Sequence, residues 1–138
     1  MNAVQTPQWD LWLDAARLAE RLSQPDSQLI AVIGAEAWCQ KCRQLKPLFE
    51  TAAHNAQPNE TWLWLDLEDH AEFIGPHIPD DLPTLLHYRQ GKLIAHGTLP
   101  TGTAAFEPAM QAASQHAAKP DIGLFQRLTS ANWSQGGI

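Results

Sequence analysis

The sequence predicts an α/β domain built on a mixed β-sheet, and three observations carry that expectation. Helical and strand-like patterns alternate along the chain in the order α, β, α, β, α, β, β, α. Residues 29–33 and 62–67 are nearly unbroken apolar runs, the pattern of strands covered on both faces. Two more apolar runs, 84–89 and 92–96, meet at Gln90-Gly91, which predicts an antiparallel hairpin with glycine at a positive φ.

Each element has its own signal. Thr6-Pro7 suits a helix start, because Thr caps free N–H groups and Pro fits the first turn. Asp10, Asp14, Arg17 and Arg21 then make a solvated stripe, while Leu11, Ala15, Leu18 and Leu22 repeat the spacing on the apolar side. Pro25-Asp26-Ser27 breaks this helix ahead of the first strand. Residues 40–53 read as a second helix with Leu45, Leu48, Phe49 and Ala52 buried, bent where Pro47 removes a hydrogen bond. A turn-rich break at 55–60 precedes the second strand, and 68–77 holds a helical turn or two. The last helix of the domain spans about 103–117 and buries Phe106, Met110, Ala113 and Ala117. Residues 1–118 form the domain. Residues 119–138 are a tail whose Ile122, Leu124, Phe125, Leu128 and Trp133 predict docking on the domain or on a partner.

Composition excludes several functions. The 138 residues, 44% hydrophobic and 17% charged, suit one globular domain with its own core. A net charge of −6, with scattered basic residues, argues against nucleic acid as a partner. No apolar stretch approaches the roughly 18 residues that span a bilayer, so no membrane partner is expected. The first residues lack a basic stretch followed by an apolar one, which predicts a cytoplasmic protein.

Two cysteines are present, as Cys39-Gln-Lys-Cys42. In a reducing compartment such a pair is more often catalytic, redox-sensing or metal-binding than structural. Cysteines at i and i+3 of a helix stand one above the other, within the Cα separation a disulfide needs. The first falls where a strand ends and a helix begins, a place where unpaired N–H groups and peptide dipoles favour a thiolate. Lys41 adds positive charge nearby. Cys39 is therefore the candidate nucleophile, with Cys42, one turn in and more buried, to resolve the mixed disulfide. A zinc site needs four ligands, and His54, His70, His77 and His96 form no tight pair to complete one, so no metal is expected. An inert packed pair is the third reading.

In its active-site segment the chain resembles the thioredoxin family. Ala37-Trp38-Cys39-Gln40-Lys41-Cys42 is similar to that family's redox motif, Pro47 to its helix-kinking proline, and Leu82-Pro83-Thr84 with Gly91 to its cis-proline loop and terminal hairpin. The resemblance covers about residues 8–117. It implies a thioredoxin-like fold, with a central mixed sheet flanked by helices on both faces, and thiol–disulfide exchange without a cofactor. It further implies that Pro83 is cis and faces the cysteines, that Leu82 offers its backbone to an extended substrate, and that Trp38 shields the groove. The implied partners are protein disulfides and an upstream dithiol reductase.

The chain also departs from the family. Gln40-Lys41 replaces Gly-Pro. Counting back from Cys39, Ile33 stands where the family keeps a buried aspartate, and Trp62 where it keeps the lysine partner that assists proton transfer to the resolving thiol. Glu36 reads as a solvated carboxylate, and Asp80 and Asp81 bring negative charge before the presumed cis loop. The six histidines read as surface or hairpin residues without a role. The missing couple and the apolar tail leave a second function open: a thioredoxin-fold adaptor or chaperone with little redox turnover.

Overall fold

The structure, a computed structural model, describes residues 14–68, 74, 82–100, 102, 104–114 and 123–130. Its elements are α1 (Ala15–Leu22), β1 (Gln28–Gly34), α2 (Gln40–His54), β2 (Glu60–Asp66), β3 (Thr84–Arg89), β4 (Lys92–Thr98), α3 (Phe106–Ser114) and α4 (Leu124–Ser130). The strands form one sheet in the order β2-β1-β3-β4. β1 runs parallel to β2 and antiparallel to β3, so the sheet is mixed.

Directly paired residues share a face, and neighbours along a strand alternate. One face therefore carries Ile30, Val32, Trp62, Trp64, Leu85 and His87. It meets α2 and α3 through a cluster of rings in which Phe49 stands edge-on to Trp62 (5.4 Å), Trp64 (5.4 Å) and Phe106 (5.5 Å). The other face carries Leu29, Ala31, Ile33, Leu63, Leu65, Leu86 and Tyr88, all fully buried. α1 and α4 pack on it and on each other, placing Leu18, Leu22, Leu124 and Leu128 in the core and Phe125 against Tyr88 at 5.6 Å. The central mixed sheet thus has helices on both faces.

Local chemistry sets the boundaries. Both hairpin residues take positive φ, Gln90 at 54° and Gly91 at 81°, the twist that suits a two-residue turn. β4 carries a bulge: Ala95 pairs with His87 and Leu93 with Tyr88, which leaves Ile94 unpaired and exposed. Gly97 admits α3 closely, since a Cβ there would lie 2.9 Å from the Ala113 carbonyl oxygen.

Several expectations are corrected. Arg21 is no solvated residue: it donates to the Thr61 hydroxyl (2.8 Å) and to the Pro58 and Glu60 carbonyls (2.7 and 2.8 Å), clamping α1 to β2. α3 begins at Phe106 rather than near 103, with Pro108 tolerated in its first turn. His87 and His96 are hairpin residues, in keeping with the expectation, and both are buried. The Thr6-Pro7 start, most of 68–77, Asp80, Asp81, Ala117, Ile122 and Trp133 lie outside the described residues.

Candidate active site

The two cysteines are joined as a disulfide, with their Cα atoms 5.2 Å apart. Cys39 is the N-cap of α2. Its backbone is extended, and its sulfur accepts the Cys42 N–H at 3.2 Å, one of the donors a helix start leaves without a carbonyl partner. The Cys39 N–H donates to the Ala35 carbonyl at 2.8 Å, holding the loop from β1 in a tight turn. Cys39 keeps 8% of its surface exposed and Cys42 none, so the first sulfur lies at the rim and the second beneath it. Trp38, 60% exposed, stands beside the rim.

The sheet brings the proline loop to the same end. Thr84 pairs with Ile33, so Pro83 lies beside the strand end from which the cysteine loop departs. The Leu82–Pro83 peptide is cis, and the Pro83 carbonyl accepts the Leu99 N–H at 2.9 Å. Leu82 and Pro83 are both buried.

Beneath Cys42 the arrangement differs from the sequence expectation. The β1 residue facing it is Gly34, not Ile33. A Cβ on Gly34 would lie 3.3 Å from the Cys42 Cβ and Sγ and 2.8 Å from Trp64 Cζ2, so only glycine fits without displacement. Ile33 belongs to the opposite face. The tryptophan at this spot is Trp64 rather than Trp62, which sits deeper, against Phe49 and Phe106. Trp64 is 7% exposed, and its indole N–H has no hydrogen-bond partner among the described residues.

Glu36 is not simply solvated either. Its carboxylate pairs with Lys46 Nζ at 2.9 Å, and that ammonium lies 5.7 Å from the centroid of the Trp64 ring. Arg43 donates to the Glu36 carbonyl at 2.7 Å. Asp66, at the end of β2 and buried, accepts the Glu36 and Glu68 N–H groups at 3.0 and 2.9 Å, tying the loops together. Sequence reasoning passed over Lys46, although its place four residues after Cys42 puts it on the same helix face.

Elsewhere, His87 is held neutral: burial first, then the charge of Arg89, lowers its pKa from 6.5 to about 4, against a weaker upward pull from Glu60. Its Nε2 lies 3.0 Å from Gln28 Oε1. Among the described residues no three His, Cys, Asp or Glu side chains converge to hold a metal ion, and no helix is long and apolar enough to cross a membrane.

No family model matches this sequence, and no curated protein matches it. Among solved structures it is similar to a thioredoxin from Trypanosoma brucei brucei, with 19% identity over 83% of this chain and 94% of that one, at a TM-score of 0.54. The chain has the thioredoxin fold. A poplar thioredoxin h is also similar, with 21% identity over 72% of this chain and 84% of that one, at a TM-score of 0.52. Within this thioredoxin fold Cys39 and Cys42 form a close C-x-x-C pair at the start of a helix, an arrangement able to exchange a disulfide.

Proposed function

We propose that the chain is a protein thiol–disulfide oxidoreductase acting as a reductant. The Cys39 thiolate attacks one sulfur of a substrate disulfide, forming a Cys39–substrate bond and releasing the other substrate sulfur as a thiolate. Cys42 then loses its proton to solvent and attacks Cys39. The Cys39–Cys42 disulfide forms, the second substrate thiolate leaves, and two electrons have passed to the substrate. An upstream dithiol reductase of a reducing compartment such as the cytoplasm returns the pair to the dithiol.

The observation that carries this reading is Cys39 at the α2 N-cap, its sulfur already accepting the Cys42 N–H. That N–H and the helix dipole favour the thiolate. Trp38, exposed at the rim, and the Leu82–Pro83 segment receive an extended stretch of substrate, with Leu82 offering backbone groups for strand addition. Residues 1–118 form the working domain. The tail 119–138 docks on it through α4, whose Leu124 and Leu128 are buried.

Reductant-coupled insulin precipitation tests the proposal. The wild-type chain accelerates precipitation and Cys39→Ser falls to the uncatalysed rate; activity unchanged in Cys39→Ser removes the catalytic assignment.

A further inference from the structure

Cys42 is fully buried, and burial disfavours a thiolate. Resolution of a mixed disulfide nevertheless requires Cys42 to ionise. Gly34 and the ring of Trp64 lie directly beneath it, and the carboxylate that borders them, Asp66 paired with Gly34, is negative and opposes a second negative charge. Backbone donors of the helix start serve Cys39 first, since its sulfur caps them.

Among the described residues, the charged groups around Cys42 can be named element by element. From α2 come Lys41 and Arg43, both exposed, and Lys46. The β1–α2 loop brings Glu36, and the end of β2 brings Asp66 with Glu68 beyond it. β1 ends near the cysteines at Ile33 and Gly34, and the chain enters β3 through Pro83 and Thr84, none of them charged. Lys46 is the cation placed to act. It follows Cys42 by one helical turn on the same face, where Cβ atoms stand about 5–6 Å apart. Its ammonium is held by Glu36 at 2.9 Å and lies 5.7 Å from the centroid of the ring that floors Cys42. It is more buried than its partner, with 23% of its side chain exposed against 42% for Glu36, so water screens it less than a surface lysine.

We propose that Lys46 is a positioning residue for thiol exchange: held by Glu36 above Trp64, its charge favours the Cys42 thiolate while the mixed disulfide is resolved. The proposal rests on the oxidoreductase reading above and adds to it the group that offsets the burial of the second sulfur. The bond changes are those already given, with the Cys42 proton passing to solvent, and Lys46 acts through its charge without exchanging a proton with the thiol. Glu36 both holds the ammonium and partly offsets it, so the two side chains push the thiol in opposite directions.

A single-turnover reaction with excess 5,5′-dithiobis(2-nitrobenzoate) tests this. The reduced chain releases one coloured thiolate when Cys39 attacks. A second, at a rate independent of reagent concentration, follows when Cys42 displaces the one bound at Cys39. Lys46→Met raises the pH midpoint of the second release by about one unit and slows it about tenfold below that midpoint, leaving the first release nearly unchanged. Lys46→Arg restores the wild-type profile, and Glu36→Gln moves the midpoint downward. A folded Lys46→Met with the wild-type midpoint, or Lys46→Arg behaving like Lys46→Met, overturns the assignment while leaving the oxidoreductase standing. If Lys46→Met does not fold, an unmoved midpoint in Glu36→Gln overturns it instead. Absence of a second release in the wild type defeats the oxidoreductase reading itself.

Discussion

The two faces of the sheet are built from different materials. Toward α1 and α4 the contacts are mostly aliphatic, Leu18, Leu22, Leu124 and Leu128 against Leu29, Leu63 and Leu65. Toward α2 and α3 they are aromatic and partly polar: Phe49, Trp62, Trp64 and Phe106, with the buried His87 and an indole N–H that has no partner among the described residues. The aliphatic face carries few polar side chains, the Thr61 hydroxyl and the Tyr88 phenol among them, and serves cohesion. The aromatic face bears both cysteines through α2, so packing and chemistry share one helix there.

The largest effects separate the faces. Phe49 is fully buried at the centre of the ring cluster, seven residues beyond Cys42 on α2. Phe49→Ala is expected to cost about 3–5 kcal/mol in urea unfolding and to alter the rate at which Cys42 completes the exchange. Leu128, also fully buried, sits on the opposite face, and Leu128→Ala is expected to cost about 2–4 kcal/mol while leaving that rate unchanged. An altered exchange rate in Leu128→Ala, or an unaltered one in Phe49→Ala, breaks the division of labour.

The aromatic face also carries a liability in acid. His87 has a pKa near 4 in the folded chain against 6.5 for a free histidine, mainly through burial. Below pH 6.5 the unfolded chain gains a proton that the folded chain does not accept until about pH 4. Stability from this site is complete above pH 6.5 and falls as the pH drops toward 4, by about 1–3 kcal/mol. Replacing it, as in His87→Gln, is expected to lessen the loss of unfolding free energy between neutral and mildly acidic buffer. An equal loss in variant and wild type assigns the acid sensitivity to other groups.

The contrast between faces also explains what was legible in the sequence. The apolar runs of β1 and β2 announce strands covered on both sides, and Gln90-Gly91 announces the hairpin, because these signals are local and steric. The C-x-x-C at a strand–helix junction is local too, so Cys39 at the N-cap follows from spacing. The surroundings of Cys42 are not local. Gly34 and Trp64 come to it from neighbouring strands, and which residue of each lies beneath it depends on a register that an unbroken apolar run does not encode: one residue separates Ile33 from Gly34, and two on the same face separate Trp62 from Trp64. Ile33 and Trp62, which the resemblance sets at the family's Asp and Lys positions, are thus not the residues that face Cys42. Glu36 and Lys46 show the same limit: each reads as an ordinary charged residue until the β1–α2 turn brings them to 2.9 Å. Residues 124–130 gave a compositional signal for docking, yet Gln126, Arg127 and Thr129 among the apolar positions hid the short helix.

The smallest effect belongs to the edge of the aliphatic face, where its cohesion is not aliphatic at all. Arg21 reaches from α1 across the rim of β2, with Nε on the Thr61 hydroxyl and Nη2 on the Pro58 and Glu60 carbonyls. The Pro58 and Glu60 carbonyls lie near water, which takes over their bonding when the guanidinium is removed, while the buried Thr61 hydroxyl loses this donor. Arg21→Met is accordingly expected to lower unfolding free energy by only about 1 kcal/mol. Arg21→Lys keeps the charge but not the planar fork that reaches three acceptors at once, so it should recover less than half of that loss. Full recovery with lysine makes charge the agent and not the geometry of the clamp. No loss in either variant leaves α1 held by Leu18 and Leu22 alone, and the second face becomes aliphatic to its edge.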